Sequence, residues 1–404
     1  MNRRVNALFV FIIFGLWVCL ASPSHFALSA QANGTPTQLA PRVQFAFGGN
    51  AAEIPAEFDG NMIFLPVRVN QSRPSLFLLD STADASSIDP DRAKELGVVP
   101  NQAAILNLNG VDIQLPSLPA SAKPDFGLET GREYEGTLGS DFFKSVVVEI
   151  DYARRTVRLY DPAVYKYSGQ GTAIHLSFAG RVPVAQAKFS VPKGKDLKAD
   201  FLVNTALGAS TAITEHYAET HRILTSHFKT IPVAGLLSGG GEPAQLGRLK
   251  EFQLDRYTVQ GSLAVFTRSG LIQAGTASMA GEIGGGMLRR FTVVLDYPQQ
   301  QMVLEPNSHF AEEDEEDKSG ISVVAKGAGL RTFEIVQVAP GTPAAAAGLR
   351  KGDIIAGVDK DPAANLTLFE IRGLFQQAGY KYNLLIGRDE MTTDIMIQTR
   401  RLLE

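Results

Sequence analysis

The chain has 404 residues, too many for one ordinary domain, and its 45% hydrophobic and 20% charged residues are the balance of a globular protein. Its 38 Lys and Arg against 42 Asp and Glu leave a net charge of -4, which argues against a nucleic-acid binder working through a basic surface. A single cysteine excludes an intramolecular disulfide and a four-cysteine zinc site, while 38 glycines and 21 prolines spread along the chain point to many turns and a β-rich build.

Arg3 and Arg4 precede an apolar run from Ala7 to Leu20. Such a run is short for a bilayer, which needs about 20 residues, and it fits the apolar core of a secretory signal peptide. Ala30-Gln31-Ala32 supplies a small-residue cleavage pattern. Residues 1–32 are therefore expected to direct export to the periplasm or cell envelope of a bacterium, with an uncleaved anchor as the competing reading. Cleavage would remove Cys19, and no later apolar run is long enough to span a membrane.

The rest of the chain repeats itself. LFLLDSTADASSID (Leu76 to Asp89) overlays DFLVNTALGASTAIT (Asp200 to Thr214): an apolar strand, a polar triplet, small residues, then a second strand start. GTLGSDFFKSVVVEIDY from Gly136 likewise overlays GEIGGGMLRRFTVVLDY from Gly281, with Gly139 meeting Gly284 and Asp151-Tyr152 meeting Asp296-Tyr297. Two similar units in the same order, residues 41–163 and 171–308, mean a duplicated domain. An acidic block, residues 309–319, follows and reads as a solvated linker, since it lacks the ligand alternation and turn glycine of a calcium loop. Beyond it FEIVQV is a strand, and APGTPAAAAGLRKGDIIAGV is turn, short Ala-rich helix, turn and strand. Thr367 and Glu370 form a capping box for a helix whose apolar face is Leu368, Ile371 and Phe375, and the chain closes on a hairpin. Residues 320–404 are thus a small α+β domain.

An apolar strand, then Asp-Thr/Ser-Gly-Ala, then an apolar-Gly pair further on, resembles the half-barrel of retropepsin-like aspartic proteases. Asp80-Ser81-Thr82-Ala83 with Leu138-Gly139 falls on that pattern in the first copy, and Asn204-Thr205-Ala206-Leu207 with Ile283-Gly284 in the second. The C-terminal domain resembles a bacterial PDZ module through Pro340-Gly341-Thr342-Pro343-Ala344, Ala347-Gly348-Leu349 and Gly352-Asp353-Ile354-Ile355. The resemblance implies a mainly β chain of two tandem acid-protease barrels followed by a PDZ domain, a monomer with an internal pseudo-dimer. It implies catalytic positions at Asp80, Ser81, Asn204 and Thr205. It also implies a peptide-binding loop at Ser319, Gly320 and Ile321 that receives a terminal carboxylate, as PDZ domains do when a peptide adds a strand.

Aspartic proteolysis needs two carboxyls sharing one proton: one takes a proton from water while the other donates to the scissile carbonyl. Asn204 cannot hold that proton. Thr82 and Ala206 also stand where the family has glycine, and Thr82 is expected to crowd its turn. Asp200 lies about 13 Å along the strand from Asn204 and Asp84 lies past the turn, so neither replaces the lost acid. The expected molecule is a pseudo-protease that binds peptides or protein C-termini; the rival is an active aspartic-type endopeptidase using Asp80 with an atypical partner. No cofactor, metal or nucleic acid is expected. His216, His221 and His227 read as surface residues, since their spacings do not stack on one helix face. No GxSxG elbow or phosphate loop occurs, Gly284-Gly285-Gly286 being a turn, and Leu236 to Pro243 reads as a flap.

Overall fold

The computed structural model describes residues 42–122, 130–234, 243–268 and 279–403. The expected signal segment, and all of the expected flap except Pro243, lie outside the described residues.

The described chain is mainly β, with a few short helices. Local sequence explains the hairpins. Gln102–Leu108 and Val111–Leu118 alternate buried and exposed side chains over most of their length. Asn109-Gly110 joins them with φ of 47° and 86°, the left-handed pair that a two-residue hairpin turn demands.

The duplication in the sequence is a duplication of topology. In the first copy Ser75–Leu79 pairs in parallel with Gly136–Leu138, which pairs antiparallel with Ser87–Ile88. In the second copy Leu197–Val203 pairs in parallel with Gly281–Ile283, which pairs antiparallel with Thr211–Thr214. A short helix follows each apolar-Gly pair, Ser140–Ser145 and Gly285–Leu288. A hairpin from each copy then meets the other: Val147–Asp151 pairs antiparallel with Phe291–Asp296, at the centre of a six-stranded sheet built from both copies. One apolar core runs from Phe45 to Leu304 without a break between copies, and Phe143 of the first stacks on Tyr297 of the second at 5.0 Å. Each large side chain buried at this join contributes about 1.5–3 kcal/mol to holding the halves together.

The C-terminal domain has its own core and a sheet whose end strand is Ile321–Lys326. Its expected helix is present as Leu368–Leu374. The capping box is closed in both directions, with Thr367 N donating to Glu370 Oε2 at 2.7 Å and Glu370 N donating to Thr367 Oγ1 at 3.2 Å. Leu368, Ile371 and Phe375 are all buried, and the closing hairpin pairs Lys381–Arg388 with Met391–Gln398.

The acidic block departs from expectation. Asp314, Glu316 and Lys318 are buried, while Glu312, Glu313 and Glu315 stay exposed. Asp314 accepts hydrogen bonds from Ser210 Oγ at 2.6 Å, Leu263 N at 3.0 Å and Nη2 of the fully buried Arg290 at 2.7 Å. Glu316 accepts from Arg248 Nη2 at 2.5 Å and Leu402 N at 3.3 Å. A run of carboxylates stays in water when it has no cations to meet. Here Arg248 and Arg290 of the second copy supply them, and buried charge is tolerated because it is paired. Leu402 and Leu403 insert beside Leu207, Ile231, Val233 and Leu246, so the C-terminal domain is docked on the second copy rather than tethered to it.

Candidate active site

The strands Ser75–Leu79 and Leu197–Val203 end at Asp80 and Asn204. The hydroxyls that follow cross between copies. Ser81 Oγ donates to Val203 O at 2.6 Å, and Thr205 Oγ1 donates to Leu79 O at 2.6 Å. Each hydroxyl also accepts from the opposite backbone: Thr205 N to Ser81 Oγ at 3.0 Å and Ser81 N to Thr205 Oγ1 at 3.0 Å. Both side chains are fully buried, so this four-bond brace holds the two loops in one position relative to each other. The glycines behind the loops are required by contact. A Cβ on Gly139 would meet Ala85 O at 2.6 Å, and one on Gly284 would meet Ala209 O at 2.2 Å. The structure therefore brings together Asp80, Ser81, Asn204 and Thr205.

Asp80 and Asn204 occupy matching places. Thr82 N donates to Asp80 Oδ1 at 2.8 Å, and Ala206 N donates to Asn204 Oδ1 at 2.8 Å. Thr82 does not crowd its turn as expected: its hydroxyl donates to Asp80 Oδ1 at 2.6 Å. Burial pushes the Asp80 carboxyl above the usual range, while the bonds from Thr82 and Ala83 pull it back toward the ionised form.

A second carboxyl lies in this site that the motif reading passed over. Glu282, on the strand Gly281–Ile283, is 1% exposed, and Asn204 Nδ2 donates to its Oε2 at 2.6 Å. Burial, seconded by the charge of Asp80 and opposed by the Asn204 bond, pushes its carboxyl up to about 8. The signal that could have found it is the overlay of Gly136-Thr137-Leu138-Gly139 on Gly281-Glu282-Ile283-Gly284. Strand alternation puts Ile283 in the core and Glu282 on the opposite face, and the register sets Glu282 beside Leu202, two residues before Asn204. The acids weighed from sequence are elsewhere: Asp84 and Asp200 are exposed, and Asp200 accepts from Gln186 Nε2 at 3.3 Å.

Asp80, Asn204 and Glu282 line a cleft of about 1290 Å³ that continues past Ile231 and Val233 to Ile321, Val323, Phe369 and Phe375 of the C-terminal domain. Its far end is thus the groove between the edge strand Ile321–Lys326 and the helix Leu368–Leu374. The expected carboxylate loop borders this groove, and its donors are already engaged. Asp317 Oδ1 accepts from Ser319 N at 2.9 Å, Ser319 Oγ at 2.6 Å, Gly320 N at 2.6 Å and Ile321 N at 3.3 Å. Burial pushes the Asp317 carboxyl up to about 6 against the pull of these bonds. His216, His221 and His227 are exposed, and among the described residues no group of three or more His, Cys, Asp or Glu could hold a metal ion. No helix among the described residues is long and apolar enough to cross a membrane.

Residues 315–399 match the family model of the PDZ domain. Among solved structures, an aspartic proteinase from Irpex lacteus is similar at 12% identity and a TM-score of 0.40, over 64% of this chain and 98% of that one. A photosystem II D1 C-terminal processing protease is similar at 24% identity and a TM-score of 0.20, over 22% of this chain and 23% of that one. A search of curated proteins gives no match. The chain is a mainly β protein with a PDZ domain at residues 315–399.

Proposed function

We propose that this chain is an exported peptide-binding protein of aspartic-protease build, with residues 41–163 and 171–308 as two retropepsin-like halves and 320–404 as the PDZ domain. One observation carries the reading: a single cleft runs from the braced loops of Asp80 and Asn204 to the edge strand of the PDZ domain. An extended peptide fits both ends, adding a strand to Ile321–Lys326 and laying its continuation across the loops. The reciprocal Ser81–Thr205 brace supports a monomer, because the second copy already stands where a partner subunit would. Arg3, Arg4 and the apolar run after them support export.

The Asp80–Asn204 pair alone is degenerate, since an amide neither takes nor gives a proton in acid–base exchange. The rival reading, an active aspartic-type endopeptidase using Asp80 with an atypical partner, gains one specific observation, the buried Glu282 beside Asn204. The binding reading is tested with fluorescently labelled unfolded casein and the chain lacking residues 1–32. Saturable binding that Phe369→Glu, at an exposed position in the groove, weakens at least tenfold is expected; no binding, or binding indifferent to that change, would contradict it.

A further inference from the structure

We propose that Glu282 is the second carboxyl of an acid pair with Asp80, and that the cleft hydrolyses a backbone amide of the extended peptide it binds. The proposal rests on the peptide-binding reading and goes beyond it. In the second copy the acid is absent from the loop and present on the neighbouring strand, hydrogen-bonded to the residue that took its place. Both carboxyls line one cleft.

A purely structural role does not account for Glu282. A glutamine in its place would accept the Asn204 amide proton equally well and would be spared the cost of burying an ionisable group. The side chains acting on Glu282 are Asn204, through its hydrogen bond, and Asp80, through its charge. Tyr134 and Tyr297 are the phenols on which the Asp80 charge acts. This setting favours the mixed state that acid proteolysis needs. Burial raises both carboxyls, but Asp80 is given the bonds of Thr82 and Ala83 that favour its ionised form. Glu282, with one hydrogen bond from the described residues and facing the Asp80 charge, is the better placed to keep the proton.

The step balances with water alone. Asp80 takes a proton from water as its oxygen bonds to the scissile carbonyl carbon, while Glu282 passes its proton to the carbonyl oxygen. In the resulting diol the C–N bond breaks, the Asp80 proton goes to the leaving nitrogen, and Glu282 recovers a proton from one hydroxyl. A carboxylic acid and an amine leave, and both side chains return to their starting states. Asn204 is a positioning residue: its amide holds one Glu282 oxygen and its own carbonyl is held by Ala206 N.

The test uses the chain lacking residues 1–32, quenched-fluorescent casein for cleavage, and labelled casein for binding, across pH 3 to 9. Cleavage is expected with an alkaline limb near pH 8, where Glu282 loses its proton. Glu282→Gln and Asp80→Asn should each lower the rate about 100-fold or more while binding is retained. Glu282→Asp, a second variant should the first fail to fold, should move the alkaline limb. Binding without cleavage would overturn the inference and leave the peptide-binding reading standing, as would cleavage that Asp80→Asn stops and Glu282→Gln does not. Absence of binding would overturn both.

Discussion

The two copies agree at almost every backbone bond of the site and differ in where they keep an acid. In each, the loop amide donates to the residue before the matching glycine, Gly139 or Gly284: Asp80 N to Leu138 O at 3.0 Å and Asn204 N to Ile283 O at 2.9 Å. In the first copy the carboxyl ends the strand, at Asp80, and the neighbouring strand carries Thr137. In the second the strand ends in Asn204 and the neighbouring strand carries Glu282. The glycines and the crossed hydroxyls thus hold the same backbone geometry in both copies, while the carboxyls stand on different strands. What the site can do is decided by the pair of strands and not by the triplet alone.

The largest expected effect comes from Glu282. Its folded-state pKa of about 8 lies above the ordinary 4.5. The native state therefore binds more protons than the unfolded one between those values, and stability falls as pH rises through that window. At about 1.4 kcal/mol per unit the loss is on the order of 5 kcal/mol. Glu282→Gln should flatten this slope, leaving the variant more stable than the parent above pH 8 in denaturant titrations; equal slopes would show that Glu282 titrates normally.

The brace between copies comes next. Thr205→Val keeps the shape but removes the donor to Leu79 O and the acceptor for Ser81 N, two buried backbone groups. A loss of about 2–4 kcal/mol is expected in the same titrations. Arg248→Met, which strips Glu316 of its cation, should cost about 2 kcal/mol and loosen the C-terminal domain on the second copy, read as faster amide exchange in the strand Ile321–Lys326. The smallest effect is expected at the PDZ end. Because Asp317 already fills the amides of Ser319, Gly320 and Ile321, free and C-terminally amidated peptides should bind within about threefold of each other at pH 8. A preference of tenfold or more for the free carboxylate would show that Asp317 is displaced.

Much of this was legible in the sequence because it is local or repeated. The capping box at Thr367 and Glu370 needs only residues within one helical turn. The brace was legible through the twin triplets, whose spacing to Gly139 and Gly284 keeps the same order. What was not legible depends on side chains meeting from afar. The acidic block is read as solvated because Arg248 and Arg290, which bury it, are distant in the chain. Asp317 lies two residues before the loop it fills, yet only the fold of that loop turns three amides toward one oxygen. Glu282 is hidden in the sequence because it lies outside the Asp80 and Asn204 segments, 78 residues beyond Asn204, and only the parallel pairing of Gly281–Ile283 with Leu197–Val203 brings it to that residue.

The claim that the second copy keeps a protonated carboxyl beside Asp80 is tested most directly by following the side-chain carboxyl carbon of Glu282 by NMR, in glutamate-labelled protein, with Glu282→Gln giving the assignment. The account predicts a midpoint near 8 that moves down when Asp80→Asn removes the neighbouring charge. A midpoint near the ordinary 4.5, unmoved by Asp80→Asn, would contradict it.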